Sequence, residues 1–181
     1  MNPGDIPPTK IIARVAAGAT LTMASGTASA SLDRFASWFL TAFGAGLALI
    51  ISNLKEVSAF IPQATVALDA YLFLIAAVAC VGQRYLSLII VGGAKAAKEG
   101  SEMSEKWHQM DLEEFIAQML QGMPWLVRKM CKAQFDALAK GDYAVSGRMF
   151  LRLTMWQGLL VTIELIVLLV ALTKFVNGIR P

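Results

Sequence analysis

Residues 156–176 read WQGLLVTIELIVLLVALTKFV. Between Trp156 and Lys174 the only charged residue is Glu164. About 20 helical residues, each rising about 1.5 Å, cross the hydrocarbon core of a bilayer. The stretch is too long for a strand, so its β-branched residues do not argue for one. It predicts a membrane-spanning helix with one acid near its middle.

Two further stretches read the same way. A first span is expected over about 32–54, with the uncharged core FASWFLTAFGAGLALII at 35–51. Arg34 and Trp38 lie near one end, where a snorkelling cation and an amphipathic ring sit comfortably. Asn53, Lys55 and Glu56 mark the other end. A second span is expected over about 64–83, with TVALDAYLFLIAAVACVGQ at 65–83. Its apolar pattern runs on to Val91, Gly92-Gly93 weakens it, and charges begin at Lys95. The short connector ending at Pro62 predicts an antiparallel hairpin of the first two spans.

Composition agrees. Of 181 residues, 56% are apolar and 16% charged, against roughly 25% charged in soluble domains. The mean hydropathy is +0.58. So few charges could not cover a soluble fold of this apolarity, and a lipid bilayer removes the difficulty. The net charge of +3 includes no basic run that reads as a nucleic-acid footprint. Cys80 falls in the second span and Cys131 in the polar region, so a disulfide within one chain is not expected. His108 is the only histidine. Glu105-x-x-His108 has the spacing of a metal half-site on a helix, but a di-iron bundle needs two such pairs. No metal and no cofactor are expected, and the pair reads as a solvated helix face.

Four segments follow: 1–31, 32–92, 93–148 and 149–181. Pro3, Pro7 and Pro8 suggest a disordered lead. Lys10, Arg14 and Ala28-Ser29-Ala30 together resemble a signal peptide with its cleavage site. The preferred reading is an interfacial helix over 10–31, because the stretch is interrupted by Gly and Thr and a stronger span follows. In 93–148, Asp111 and Glu114 form a capping box, and Met110 with Phe115 a hydrophobic staple, so a helix is expected from Asp111 to about Gly122. Pro124 suits the first turn of a second helix that stops at Gly141. On that helix Trp125, Arg128, Lys129 and Lys132 suit an anionic membrane surface; the other reading is a basic face packed against Glu105, Asp111 or Glu113. Met103, Trp107 and Met110 form one apolar stripe, and Phe115, Met119 and Met123 another. Both are expected to pack these helices together, a partner groove being the other use.

Lys and Arg set the orientation. Lys10, Arg14 and Arg34 precede the first span, and Arg84, Lys95, Lys98, Arg148 and Arg152 flank the polar region. Lys55, Lys174 and Arg180 fall on the other side. The excess places the N-terminus and 95–148 in the cytoplasm.

Glu164 is the most informative residue. A carboxylate in hydrocarbon costs several kcal/mol, so it must be protonated, paired or turned to a polar cavity. It reads either as a proton or cation site or as a hydrogen bond between helices. Asp69 and Arg84, near opposite ends of the second span, read as interfacial; Arg84 is also a conceivable partner for Glu164. Ala42 with Gly46, and Gly44 with Ala48, have the small-xxx-small spacing of helix contacts, which suggests a homo-oligomer. No phosphate loop, nucleophile elbow, HExxH or triad is present in the sequence. The expectation is therefore an all-α integral membrane protein and not an enzyme: a transmembrane hairpin, a cytoplasmic helical subdomain and a third transmembrane helix. Two functions suit it. One is a scaffold or interaction subunit whose cytoplasmic helices bind a protein partner. The other is an oligomeric ion channel or pore with Glu164 in the conduction path.

Overall fold

The structure is a computed structural model that describes residues 8–102, 112–122 and 125–179. Every element among the described residues is a helix: α1 (Pro8–Ser52), α2 (Leu54–Val57), α3 (Gln63–Glu102), α4 (Leu112–Gln121), α5 (Trp125–Ala139) and α6 (Val145–Gly178). Three of them are long and apolar enough to cross a membrane, over Ile12–Ser52, Gln63–Glu99 and Val145–Gly178. These three candidate spans, in a chain that is all-helical among the described residues, are consistent with a multi-pass membrane protein. With 45, 40 and 34 residues, α1, α3 and α6 each exceed the roughly 20 that the hydrocarbon core requires.

The elements start and stop for local reasons. Pro8 opens α1 and Pro62 directly precedes α3, where a missing N–H costs nothing. Inside the long helices, hydroxyls fold back onto carbonyls one turn earlier: Thr22 to Gly18 at 2.8 Å, Thr162 to Gly158 at 2.9 Å and Thr173 to Leu169 at 2.8 Å. That satisfies them where no water is at hand. α1 runs unbroken through residue 31, so 10–31, expected as a separate surface helix, are one helix with the first span. α3 likewise continues past Gly92-Gly93. α5 ends as its sequence suggests. Gly141 takes φ +83, its N–H donates to Leu138 at 2.9 Å, and the Asp142 N–H donates to Ala137 at 3.0 Å. These are the two bonds of a Schellman cap. Asp111, Met110, Met103, Glu105, Trp107, His108, Met123 and Pro124 lie outside the described residues.

The chain divides into two compact units. The first comprises 1–27 and 90–153. There α1 and α6 touch backbone to backbone. A Cβ on Gly147 would stand 2.6 Å from the Gly18 carbonyl oxygen, and one on Gly18 2.6 Å from that of Tyr143. Only glycine permits so close an approach at either position. Asp142 and Arg148 form an ion pair at the start of α6. Arg128 donates to the Gln121 carbonyl at 3.1 Å, tying α5 to the end of α4.

The second unit comprises 28–89 and 154–181. Its contacts give the register of three helices. Ser29 meets Ser87, Asp33 meets Gln83, and Phe43 stacks on Phe73 with ring centroids 6.2 Å apart. α1 and α3 are therefore antiparallel. Gln157 meets Ser29, and Phe175 packs on the Leu47 cluster, so α6 runs parallel to α1. Leu47, Ile61 and Val66 form the apolar core at one end. Large apolar residues such as Trp38, Tyr71, Val78, Leu88 and Leu169 stand exposed on the outside. Such an exterior suits lipid rather than water.

Candidate intramembrane polar site

On α3 and α6 the buried residues of the second unit recur at gaps of three, four or seven positions. On α3 they are Val66, Asp69, Ala76, Cys80, Gln83 and Ser87; on α6 they are Gln157, Val161, Glu164, Leu168 and Ala171. This is the seam spacing of supercoiled helices, whose interior positions are normally apolar. Here Asp69 and Gln83 occupy equivalent seam positions two heptads apart, and Gln157 and Glu164 lie one heptad apart. The polar side chains are therefore inside the bundle because the seam puts them there.

At one level all three helices contribute to a hydrogen-bonded layer. Gln157 Nε2 donates to the Ser29 carbonyl and to Gln83 Oε1, both at 3.1 Å. Gln83 Nε2 donates to Asp33 Oδ1 at 3.0 Å. Arg84 stands 3.4 Å from the same Asp33 oxygen and donates to Ser37 Oγ at 2.6 Å. Ser29 and Ser87 share a hydroxyl bond at 3.1 Å. Gln83, Gln157 and Ser29 are fully buried, whereas Arg84 is more than half exposed. The layer thus joins an exposed cation to the closed interior.

Glu164 lies one heptad farther along α6, about 10.5 Å by helical rise. It has no solvent exposure, and neither carboxyl oxygen has a hydrogen-bond partner. Arg84 itself is bonded to α1, through Asp33 and Ser37. Asp69 is 1% exposed and also lacks a partner at both oxygens. It lines a cavity of about 230 Å³ with residues of α1 and α6, including Phe43, Gly46, Leu172 and Phe175. It is thus an interior group of the bundle.

The small residues of α1 divide. Gly44 lies against the Phe73 ring, 3.0 Å from where a Cβ would stand. Ala42, Gly46 and Ala48 are exposed, and a Cβ on Gly46 would meet nothing within 4 Å. On α5, Trp125, Lys129 and Lys132 are exposed, while Arg128 is turned back to α4.

Asp33, Gln83 and Gln157 carry the layer, and sequence reasoning passed over them. Each stands at the edge of an apolar run, where a polar residue reads as a span end. The signal that finds them is the seam spacing that links Gln83 to Asp69 and Gln157 to Glu164. Compared with known proteins, the chain matches no family model, no curated protein and no solved structure.

Proposed function

We propose that this chain is a non-enzymatic, multi-pass membrane subunit that passes protons through the interior of its own helix bundle, with Glu164 as the relay group. One observation carries the reading: a fully buried carboxyl in mid-span with no partner at either oxygen. An acid serving as glue between helices would be hydrogen-bonded to one of them. An unpaired buried acid is instead poised to take up and give back a proton. The Asp33–Gln83–Gln157 layer lies on one side of it, and Asp69 with its cavity on the other. The levels are farther apart than one hydrogen bond, so bridging water or side-chain rotation completes the relay. Because Glu164 is enclosed by its own chain, the path would run within one protomer rather than along an oligomer axis.

The topology proposed with it has α1 and α3 as a transmembrane hairpin, and the N-terminus and 95–148 in the cytoplasm, following the Lys and Arg excess. A membrane-impermeant maleimide should then label Ser58→Cys in intact cells and leave Lys129→Cys unmodified. The reverse pattern would invert the topology. The relay itself is tested in liposomes with an imposed pH gradient. Wild type should dissipate the gradient faster than empty vesicles, and Glu164→Gln should return the rate to that of empty vesicles. Equal rates for wild type and empty vesicles would reject it.

A second reading keeps the chain as a scaffold or interaction subunit. It rests on the exposed Trp125, Lys129 and Lys132, which are spaced along one face of α5. Such a face suits a cytoplasmic protein partner or the anionic bilayer surface. A photoreactive residue at position 129 separates the two by whether protein or lipid is crosslinked.

A further inference from the structure

We propose that the cavity beside Asp69 binds a small ammonium ion carried on an apolar body. The cavity holds about 230 Å³, and Asp69 is the only charged residue in its wall. The remaining lining is Ala, Phe, Gly, Leu and Ile. Asp69 is 1% exposed, and neither of its oxygens is hydrogen-bonded. An ionised carboxylate left this way costs several kcal/mol, and a cation seated beside it relieves that cost.

The wall selects the kind of cation. Mg²⁺ and Ca²⁺ take six or more oxygen ligands, and one carboxylate among hydrocarbon atoms cannot supply them. Among the described residues no three His, Cys, Asp or Glu side chains converge to hold a metal ion. An alkyl- or arylalkylammonium ion needs much less. One carboxylate accepts its N–H bonds, and the hydrocarbon lining takes the rest of the molecule. Phe43 and Phe175, both in the wall, add ring surface that favours a cation as well as an apolar body. The mouth is formed by small residues. Ala42 and Gly46 are exposed, and the space beyond Gly46 Cα is open. On a lipid-facing bundle such a mouth admits a molecule that partitions into the bilayer and carries one charge.

The inference does not rest on the Glu164 relay, and its test is separable from it. The full chain in dodecyl maltoside, a detergent without an ammonium group, is dialysed to equilibrium against radiolabelled benzylamine at neutral pH. Benzyl alcohol serves as the uncharged analogue of similar size. Saturable binding of benzylammonium is expected, with benzyl alcohol weaker by roughly tenfold or more, the loss of one charge-assisted hydrogen bond. Asp69→Asn should lose a similar factor. Gly46→Leu, which adds a side chain at the mouth and keeps the carboxylate, should weaken binding while the thermal midpoint in detergent stays near wild type. Glu164→Gln should leave binding unchanged even where it stops proton flux. Absence of saturable binding by wild type, equal binding of the alcohol, or wild-type affinity in Asp69→Asn would each overturn the proposal.

Discussion

Gln157 Nε2 donates to Gln83 Oε1 at 3.1 Å, and both side chains are completely buried. The bond joins α6 to α3 through two neutral amides, which avoids placing a formal charge at that level of the seam. The same Gln157 nitrogen reaches the Ser29 carbonyl, so one side chain ties three helices. Removing it leaves the buried Gln83 Oε1 without its donor. Gln157→Ala should destabilise the fold by about 1 kcal/mol, within the range measured for buried hydrogen bonds. A double-mutant cycle with Gln83→Ala, read by reversible unfolding in mixed micelles, should give a non-zero coupling. Strict additivity of the two changes would mean that the bond contributes nothing to stability.

Glu164→Leu should raise stability by roughly 1–2 kcal/mol, because it removes a buried polar group that has no partner and keeps a similar volume. A lipid-soluble photoprobe should leave position 164 unmodified, since the side chain has no exposure in the bundle. Destabilisation by Leu would instead reveal a hydrogen bond from Glu164 to a neighbouring helix. Glu164→Gln should be nearly neutral for folding, since the amide resembles a protonated carboxyl in size.

Gly44 and Gly46 should respond differently to enlargement. Gly44→Ile drives a branched side chain into the Phe73 ring and should lower the thermal midpoint of the chain itself. Gly46→Ile projects into open space and should leave that midpoint close to wild type. If the exposed Ala42, Gly46 and Ala48 face makes the expected homo-oligomer, Gly46→Ile should lower the mass seen by light scattering in mild detergent. An unchanged mass with an intact fold would move the contact elsewhere.

Cys131, on α5, should react slowly. Burial pushes its thiol pKa up, because desolvation disfavours the thiolate. The thiolate is the nucleophile, so alkylation of a Cys80→Ala chain should rise with pH along a curve displaced above that of a free cysteine. A curve displaced toward lower pH would place a cation beside Cys131.

Much of this architecture was legible in the sequence, and the reasons differ by element. The three long apolar runs announce themselves because hydrocarbon demands uninterrupted hydropathy. The stop at Gly141 was readable because a left-handed residue after a helix is nearly always glycine. Glu164 stood out because an acid amid Leu and Val has no ordinary explanation. Asp33, Gln83 and Gln157 did not, since a polar residue at the edge of an apolar run looks like the membrane boundary. Only the register, with Ser29 opposite Ser87 and Phe43 opposite Phe73, shows that they face one another. The extension of α1 back to Pro8 was hidden for a related reason. Its buried positions there include Gly18, Thr22, Ser25 and Gly26, small or weakly polar residues that leave no amphipathic signature.

The meeting of Gly18 and Gly147 bears on how the protein is made. Gly18 leaves the ribosome before Gly147, which follows more than a hundred residues later. Until then the slot on α1 has nothing to fill it. α1 must wait through the synthesis of α3, α4 and α5 before its partner on α6 exists. Until α6 is made, the residues that meet Gly18, Tyr143 and Gly147, are absent. The pairing of α1 with α6 is therefore a late step in the making of this fold.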